Sequence, residues 1–424
     1  MGSEPTGTPT GPDTTGASPV PPSPLRRLAA AFTYRDFRVL WFGAATSSTG
    51  TWIQMTARSW LVLTLTGSAF VLGLDNFLGQ LPIMLFTLIG GVVADRRDRR
   101  LLLLTSQYVQ MSTAFILAVL VYFKVVSIWY ILTLSFITGC AQAFGGPAYQ
   151  SLLPSLVAKK DVPNAIALNS IQFNLARTVG PLVAGLAFAT LGMAACFTLN
   201  GVSFLAVIAA LLSLGVKHIP PTTTQPMWQD LRSGLSYVRN EPVLRALTVL
   251  AFLAAFLGTP LQTLLPVFTT QVFHRGVGQY TMMLAFSGIG SVIGALVVAW
   301  LGKYSRMGSA TLAVLMMVGL LSAAFAASRT LWVSYLLLFL GGAALIAVFS
   351  SIMSLVQLVA PNEMRGRVMS IYMVAFRGAF PLGSLVSGYV AHLTSAPVAV
   401  GLNGGLLVLV ACYFLVRTPQ LRRT

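Results

Sequence analysis

Long apolar runs separated by short polar breaks dominate the chain. Each run is close to the roughly 20 residues that a helix needs to cross a bilayer. The first six fall near residues 39–65, 69–94, 101–123, 129–156, 165–191 and 194–216, and the second six near residues 247–273, 280–301, 310–327, 331–359, 368–393 and 398–416. This pattern predicts an all-α membrane protein with twelve transmembrane helices in two six-helix bundles.

A weak internal repeat supports two related halves. Leu153, Leu156, Val157 and Ala158 recur about 200 residues later as Leu355, Leu358, Val359 and Ala360, and Arg177, Pro181 and Leu182 recur in the same order as Arg377, Pro381 and Leu382. Repeated halves are common in secondary transporters, whose substrate sites lie between them. We therefore expect two pseudo-symmetric bundles.

Polar stretches divide the chain further. Residues 1–37 begin with a Pro-, Thr- and Gly-rich segment that predicts a disordered N-terminal tail. Bundles are expected over 38–216 and 246–417, followed by a short tail over 418–424. The linker over 217–245 carries apolar residues at helical spacing, which favours an amphipathic helix. Its apolar face consists of Trp228, Leu231, Leu235 and Val238.

Charge is scarce and mostly basic. Only 9% of the 424 residues are charged, and 27 Lys and Arg against 10 acids give a net charge of +17. Most of these basic residues fall in the breaks on the side of the N-terminus, as the positive-inside rule predicts for cytoplasmic loops. We therefore expect a multi-pass protein of the bacterial cytoplasmic membrane with both termini in the cytoplasm. Topology then explains the excess of Lys and Arg, and a nucleic-acid partner is not expected.

Enzyme chemistry has no support in the sequence. The cysteines and histidines share no metal-ligand spacing, and we find no nucleophile with a paired base. They are Cys140, Cys196, Cys412, His218, His274 and His392. A phosphate-binding loop for ATP is also missing from the sequence. We expect no catalytic residues, no metal and no cofactor.

The break between the second and third runs carries a charged motif. It reads Gly91-Val92-Val93-Ala94-Asp95-Arg96-Arg97-Asp98-Arg99-Arg100. This resembles the loop signature G-x-L-A-D-R-x-G-R-R/K of the major facilitator superfamily, with Asp98 in place of its second glycine. Within that superfamily the chain looks most like the bacterial exporters that include the enterobactin exporter and the macrolide efflux pumps. Supporting segments are 37–41, 163–169, 174–181 and 365–369, and the resemblance covers about 37–415.

The resemblance implies roles for two motifs. In the first, Gly91, Asp95, Arg96 and Arg99 would form a conformational latch; the alternative is a positive-inside anchor. In the second, Gly180, Pro181 and Gly185 resemble a motif associated with antiport in exporters; the alternative is a packing kink.

Two ionisable residues lie on either side of the first tight return. Arg58 and Asp75 are nine residues before and eight residues after Gly67, which places them at nearly equal depth, about 12 Å from the turn. They can form an ion pair. Asp75 is also the one acid expected within a membrane helix. If transport is coupled to protons through a membrane carboxylate, that carboxylate would be Asp75. The alternative is a static pair that ties two helices together.

Two arginines occupy matched positions of the repeat. Arg177 and Arg377 are each expected about 20 Å into their helices, near the bilayer midplane. There they would favour an anionic or electron-rich ligand; the alternative is bonding to backbone carbonyls. By analogy with the superfamily, Gln54, Gln142 and Gln262 are also expected in the cavity.

These observations predict a secondary active exporter of bulky amphipathic small molecules, siderophores or antibiotics, that uses proton antiport and alternating access. Its expected partners are the small molecule, protons and the lipid bilayer, and we expect a monomer. The alternatives are an importer or uniporter of a metabolic anion, and a membrane sensor that transports nothing.

Overall fold

The computed structural model describes residues 30–215, 227–302 and 306–423, and these fold almost entirely into helices. The N-terminal half contains α1 (Arg35–Thr66), α2 (Ala69–Arg96), α3 (Arg99–Tyr122), α4 (Ile128–Leu152), α5 (Val162–Leu191) and α6 (Met193–Ser213). Then come α7 (Met227–Asn240), α8 (Pro242–Gly258), α9 (Pro260–Val267), α10 (Val277–Leu301), α11 (Met307–Ala327), α12 (Leu331–Val359), α13 (Arg365–Leu393), α14 (Ala396–Arg417) and α15 (Pro419–Arg423).

Eleven crossings in the described part of the chain are long and apolar enough to span a membrane. One of them is made of α8, α9 and a π-helical turn at Phe268–Val272, with a break before Pro260. Proline lacks the amide hydrogen that a continuous helix needs at that point. The helix α1 is not one of these eleven. It has 32 residues, which is about 48 Å at 1.5 Å per residue. Its charged and hydroxyl side chains lower its hydropathy, and it packs against α5 and α6. A twelfth crossing at α1 stays a prediction.

The two halves have the same internal packing. In the N-terminal half, α1 packs on α5 and α6, α2 packs on α4, and α3 packs on α4 and α6. In the C-terminal half, α8 packs on α13 and α14, α10 packs on α12, and α11 packs on α12 and α14. Each pair in one half therefore has its counterpart in the other. The two halves are therefore pseudo-symmetric in the structure, as the sequence repeat predicted.

Contacts between the halves run along two helix pairs. The helix α2 packs against α13, and α5 packs against α10. The turn at Gly67 marks one end of the helices, which we call the Gly67 end. The opposite end holds the start of α1 and the end of α14, and we call it the Arg35 end.

The predicted N-terminal tail extends too far along the chain. Residues 1–29 lie outside the described part, but Ala30–Thr33 forms a 3-10 turn and α1 begins at Arg35. The turn is held because the Ala31 amide donates to Asn164 Oδ1 at 2.9 Å. The ring of Phe32 also packs edge-on against Trp41, with centroids 5.0 Å apart. These contacts supply the burial that composition alone did not indicate.

The segments flanking the C-terminal half also differ from the predicted bounds. Within the predicted linker, α7 covers Met227–Asn240, and α8 already begins at Pro242, four residues before the predicted bundle. After the bundle, Pro419–Arg423 forms a short helix with Leu421 1% exposed. Burial of that one leucine explains why the predicted tail is ordered.

Candidate transport site

Glycines bring α2 and α13 into backbone contact near the Gly67 end. A Cβ atom added to Gly73 would lie 2.5 Å from the carbonyl oxygen of Ser384, and one added to Gly388 would lie 2.7 Å from that of Ala69. Real Cβ atoms do not approach so closely, so this contact requires residues without side chains. The halves are therefore tightly closed here.

The second helix pair is closed at the same end. Tyr280 at the start of α10 stacks on Trp60 of α1, with ring centroids 5.8 Å apart. Further along, Gly185 of α5 meets Thr281, whose Oγ1 would lie 2.5 Å from an added Cβ. Side chains of both halves thus interlock at the Gly67 end.

The halves separate toward the Arg35 end. On α2, no described heavy atom lies within 4 Å of a Cβ added to Gly91, and the same holds for Gly366 at the start of α13. These two helices touch closely at Gly73 and Gly388, whereas the space beside Gly91 and Gly366 is open. We call the space between the halves toward the Arg35 end the cleft.

Arg177 lies on the side of α5 that faces this cleft. Gly180 contacts Trp52 of α1, whereas Thr178 contacts Gly288 of α10. At 3.6 residues per turn, Arg177 lies between these two contact faces. The opposite side of α5 is apolar and exposed, with Ile171, Leu175, Leu182 and Leu186. The Nη2 atom of Arg177 is buried and has no hydrogen-bond partner among the described residues.

Arg377 occupies the equivalent position on α13. Gly378 contacts Met84 of α2, and Phe376 packs edge-on against Phe349 of α12 at 4.8 Å. Arg377 lies between these two contacts and is exposed. The far side of α13 is again apolar and exposed, with Val386, Tyr389 and Leu393. Each of the two matched arginines thus lies on the side of its helix opposite the exposed apolar residues. Their role in a substrate cavity stays a prediction.

Arg58 and Asp75 form an ion pair inside the N-terminal half. Arg58 Nε lies 3.0 Å from Asp75 Oδ2, and the side chains are 12% and 0% exposed. The hydroxyl of Ser135 on α4 donates to Asp75 Oδ1 at 2.5 Å. Both carboxylate oxygens therefore have a partner, which offsets the cost of burying the charge.

Residues beside the ion pair reach the closed contact between the halves. The phenol of Tyr280 lies near Ser59 and Arg58. The same tyrosine stacks on Trp60. A buried pair in one half is thus connected to a closing residue of the other. The sequence pointed to Arg58 and Asp75 by charge, but Ser135, Trp60 and Tyr280 carry no signal that separates them from ordinary membrane-helix residues.

The three glutamines predicted for the cavity lie in three different environments. Gln54 is buried in the N-terminal half, where its Oε1 accepts a hydrogen bond from Asn200 at 2.8 Å. Gln142 on α4 is exposed. Gln262 is half-buried in the first turn of α9, and its backbone amide donates to the Thr259 carbonyl at 3.1 Å. The place of the three glutamines in one cavity stays a prediction.

The described contacts of the charged motif over residues 91–100 stay within the N-terminal half. Asp98 caps α3 by accepting hydrogen bonds from the Arg100 and Leu101 amides. Arg99 donates to the Ser151 carbonyl at 3.4 Å, and Arg100 donates to the Leu212 carbonyl at 2.6 Å. The side chains of Asp95 and Arg96 lie outside the described part. The predicted latch thus stays a prediction.

The two glycines of the antiport-like motif serve different contacts. Gly180 permits the approach of α1, because a Cβ there would overlap that of Trp52. Gly185 instead permits the approach of α10 from the other half. Pro181, between them, is buried within α5. One of the three residues, Gly185, therefore belongs to the interface that must change if the halves move.

A comparison with protein families matches residues 27–424 to the family described as transmembrane secretion effector. The chain belongs to this family of major facilitator transporters. It is therefore a membrane transporter and not an enzyme, as the sequence predicted. The fold agrees: the nucleoside transporter NupG (D323A mutant) superposes with a TM-score of 0.73 at 14% identity, covering 90% of this chain and 98% of that one.

Curated relatives include exporters of the predicted branch. The staphyloferrin A transporter of Staphylococcus aureus (strain NCTC 8325 / PS 47) is 28% identical and covers 88% of this chain and 94% of its own. Macrolide efflux protein A of Streptococcus pyogenes is 23% identical over 64% of this chain and 67% of its own. The enterobactin exporter EntS of Citrobacter koseri (strain ATCC BAA-895 / CDC 4225-83 / SGSC4696) is 24% identical over 87% and 86%. The predicted branch is confirmed.

Proposed function

We propose that this transporter exports bulky, amphipathic small molecules that carry negative charge or electron-rich oxygens, the chemistry of siderophores. The observation that carries the proposal is the pair Arg177 and Arg377, which face the cleft from equivalent positions of the two halves. A guanidinium fork binds carboxylate and catechol oxygens through charge-assisted hydrogen bonds. The unpartnered Nη2 of Arg177 supplies a donor for such a ligand.

Direction and membrane orientation belong to the same proposal. The positive-inside pattern favours the Arg35 end as the cytoplasmic end. The cleft would then be open to the cytoplasm and closed outside, the state in which an exporter loads its substrate. Movement of the two halves about the closed end would expose the cleft to the other side.

Proton antiport is proposed as the energy source, with Asp75 as the coupling carboxylate. Protonation of Asp75 would remove the partner of Arg58, and a buried unpaired guanidinium is costly. Arg58 would then be free to rearrange, and Tyr280 of the other half lies near it. Proton binding would in this way act on the contact that closes the Gly67 end.

Transport by purified protein in proteoliposomes tests the substrate class. We expect uptake of staphyloferrin A or enterobactin to fall about tenfold or more in Arg177→Gln and Arg377→Gln, with a neutral macrolide affected less. Arg245→Gln, which removes an exposed arginine at the Arg35 end, is the matched control. The opposite ranking of acidic and neutral ligands would contradict the proposal. Uptake driven inward by an anion gradient would favour the importer, and ligand binding without flux would favour the sensor.

The coupling role has its own test. Transport is measured with and without an imposed pH gradient in wild type, Asp75→Asn and Asp36→Asn, the last being a control for an acid near the Arg35 end. We expect the gradient to accelerate wild type and Asp36→Asn, and to leave Asp75→Asn unchanged. Equal acceleration of all three would show that Asp75 is not the coupling group.

A further inference from the structure

A groove runs along the outer surface between α1 and α6 at the Arg35 end. Its volume is about 570 Å³, and its walls include Val39, Phe42 and Gly43 of α1 and Ala206 and Ala209 of α6. The groove is shallow and open, which suits a chain that lies along the surface. Apart from Phe42, the apolar walls are small, which leaves room for a slender apolar chain.

The groove exists because the two helices meet at its floor and carry small side chains along its walls. A Cβ atom added to Gly43 would lie 3.0 Å from both the Val207 Cα and the Ala210 Cβ. The helices therefore meet at Gly43, and α6 presents alanines beside that contact. The depression beside them is a fixed feature of backbone packing rather than of a mobile side chain.

Exposed apolar side chains surround the groove. On α6, the neighbouring side chains Val202, Leu205 and Leu212 are 50%, 49% and 55% exposed, and Phe42 of α1 is 57% exposed. In a membrane transporter, exposed apolar side chains of this kind on an outer helix face lipid. The groove is continuous with that face, so a lipid chain can enter it from the side.

Positive charge lies at the end of the groove nearest the membrane surface. Arg38 lines the groove and is exposed, with one hydrogen bond from Nη1 to the Phe32 carbonyl at 3.2 Å. Arg100 binds the Leu212 carbonyl at the end of α6, and its Nε has no hydrogen-bond partner among the described residues. The nearby acid Asp36 lies 3.8 Å from Arg35.

We propose that this groove binds an anionic phospholipid, with one acyl chain between α1 and α6 and the phosphate at Arg38. Charge complementarity selects the headgroup, because basic sites between membrane helices near the cytoplasmic surface attract anionic lipids. The apolar walls hold the chain by van der Waals packing, because a lipid tail gains no hydrophobic free energy when it leaves other lipid tails. This site is separate from the cleft and does not depend on which substrate is exported.

Native mass spectrometry tests the proposal directly. The full-length protein is equilibrated with equal amounts of phosphatidylglycerol and phosphatidylcholine of identical chains, and retained lipid is counted. We expect wild type to retain phosphatidylglycerol in excess, and Arg38→Gln to lower that retention at least fivefold. Arg35→Gln removes a 71% exposed arginine at the same end and outside the groove, so it is the matched control and should retain lipid.

A second variant tests the apolar part of the groove. Ala209→Phe fills the groove and should lower retention of both lipids, whereas Leu205→Phe, on the same helix outside the groove, should not. The thermal unfolding midpoint of each variant in detergent shows whether it is folded. Equal retention of both lipids by wild type, or unchanged retention in both Arg38→Gln and Ala209→Phe, would overturn the proposal.

The linker over 216–226 is the rival occupant, because it follows α6 directly. Lipid-free wild type, together with disulfide formation between Ala209→Cys and Thr222→Cys, would show that the chain fills its own groove. That result would also overturn the proposal.

Discussion

Trp60 of α1 and Tyr280 of α10 stack across the boundary between the halves, with centroids 5.8 Å apart and planes inclined by 21°. Both side chains are less than 10% exposed. The pair therefore closes the Gly67 end with two rings that belong to different bundles. An aromatic pair of this kind contributes about 0.5–1.5 kcal/mol beyond its buried area.

Loss of this pair should shift the balance between closed and open states of the Gly67 end. For Trp60→Ala we expect the open fraction to rise at least fivefold, since about 1 kcal/mol corresponds to that ratio. The distance between spin labels at Lys124→Cys and Thr330→Cys, in a background without the three native cysteines, measures the opening. Trp300→Ala removes an 85% exposed tryptophan and is the control. An unchanged distance distribution in Trp60→Ala would contradict the closing role.

Gly185 offers a steric test of the same interface. Gly185→Leu places side-chain atoms where Thr281 Oγ1 already lies 2.5 Å from a Cβ, so α5 and α10 cannot keep their present spacing. We expect the same pair of spin labels to move apart and transport to slow by about tenfold or more, because the closed state is disfavoured. Gly405→Leu, where no described heavy atom lies within 4 Å of the added Cβ, should behave as wild type.

The Arg58–Asp75 pair predicts an unusual pattern of stabilities. Asp75→Asn or Arg58→Gln leaves one buried partner without its counter-charge, which costs about 3–5 kcal/mol. The double variant Arg58→Met/Asp75→Leu removes both charges and should recover most of that loss, as measured by chemical unfolding in detergent. Additive losses would show that the two side chains do not act as a pair. If Asp75 couples transport to protons, the double variant should be stable but insensitive to a pH gradient.

Tyr34, which precedes α1, is tied to the start of α5 in a way that depends on pH. Its hydroxyl donates to Asp161 Oδ2 at 2.7 Å, and this hydrogen bond, followed by desolvation, raises the pKa of Tyr34 above its ordinary value of 10.0. A raised pKa means that the contact stabilises the fold below pH 10 and is lost as the pH rises through the folded value. Asp161→Asn should bring the tyrosine pKa down, measured by absorbance titration as the difference from Tyr34→Phe. An equal tyrosine pKa in wild type and in the Asp161→Asn variant would contradict the assignment.

Much of the architecture was accessible from the sequence because membrane helices leave a strong signal. The length of the apolar runs gave the crossings, and the repeat of Arg177 and Arg377 placed two charges on equivalent helices. Hydropathy was weakest for α1, whose middle carries several Ser and Thr residues and Gln54. The order of residues 30–34 depends on contacts with α5, and local composition carries no information about those contacts.

Side-chain direction was harder to predict than helix position. Gln54 was assigned to the cavity by analogy, and the structure adds a partner that the sequence does not reveal, Asn200 on α6. The phase of a helix relative to its neighbours is set by packing, and a single glutamine in an apolar helix does not reveal which side is inner. Trp60 and Tyr280 were missed for the same reason, since their importance lies in a contact between residues far apart in the chain.

The glycine contact between α2 and α13 has a steric consequence. Backbones that meet at Gly73 and Gly388 pack without side chains between them, so this contact depends on the close fit of main-chain atoms. A larger residue at either position would push the two helices apart, and with them the two bundles to which they belong.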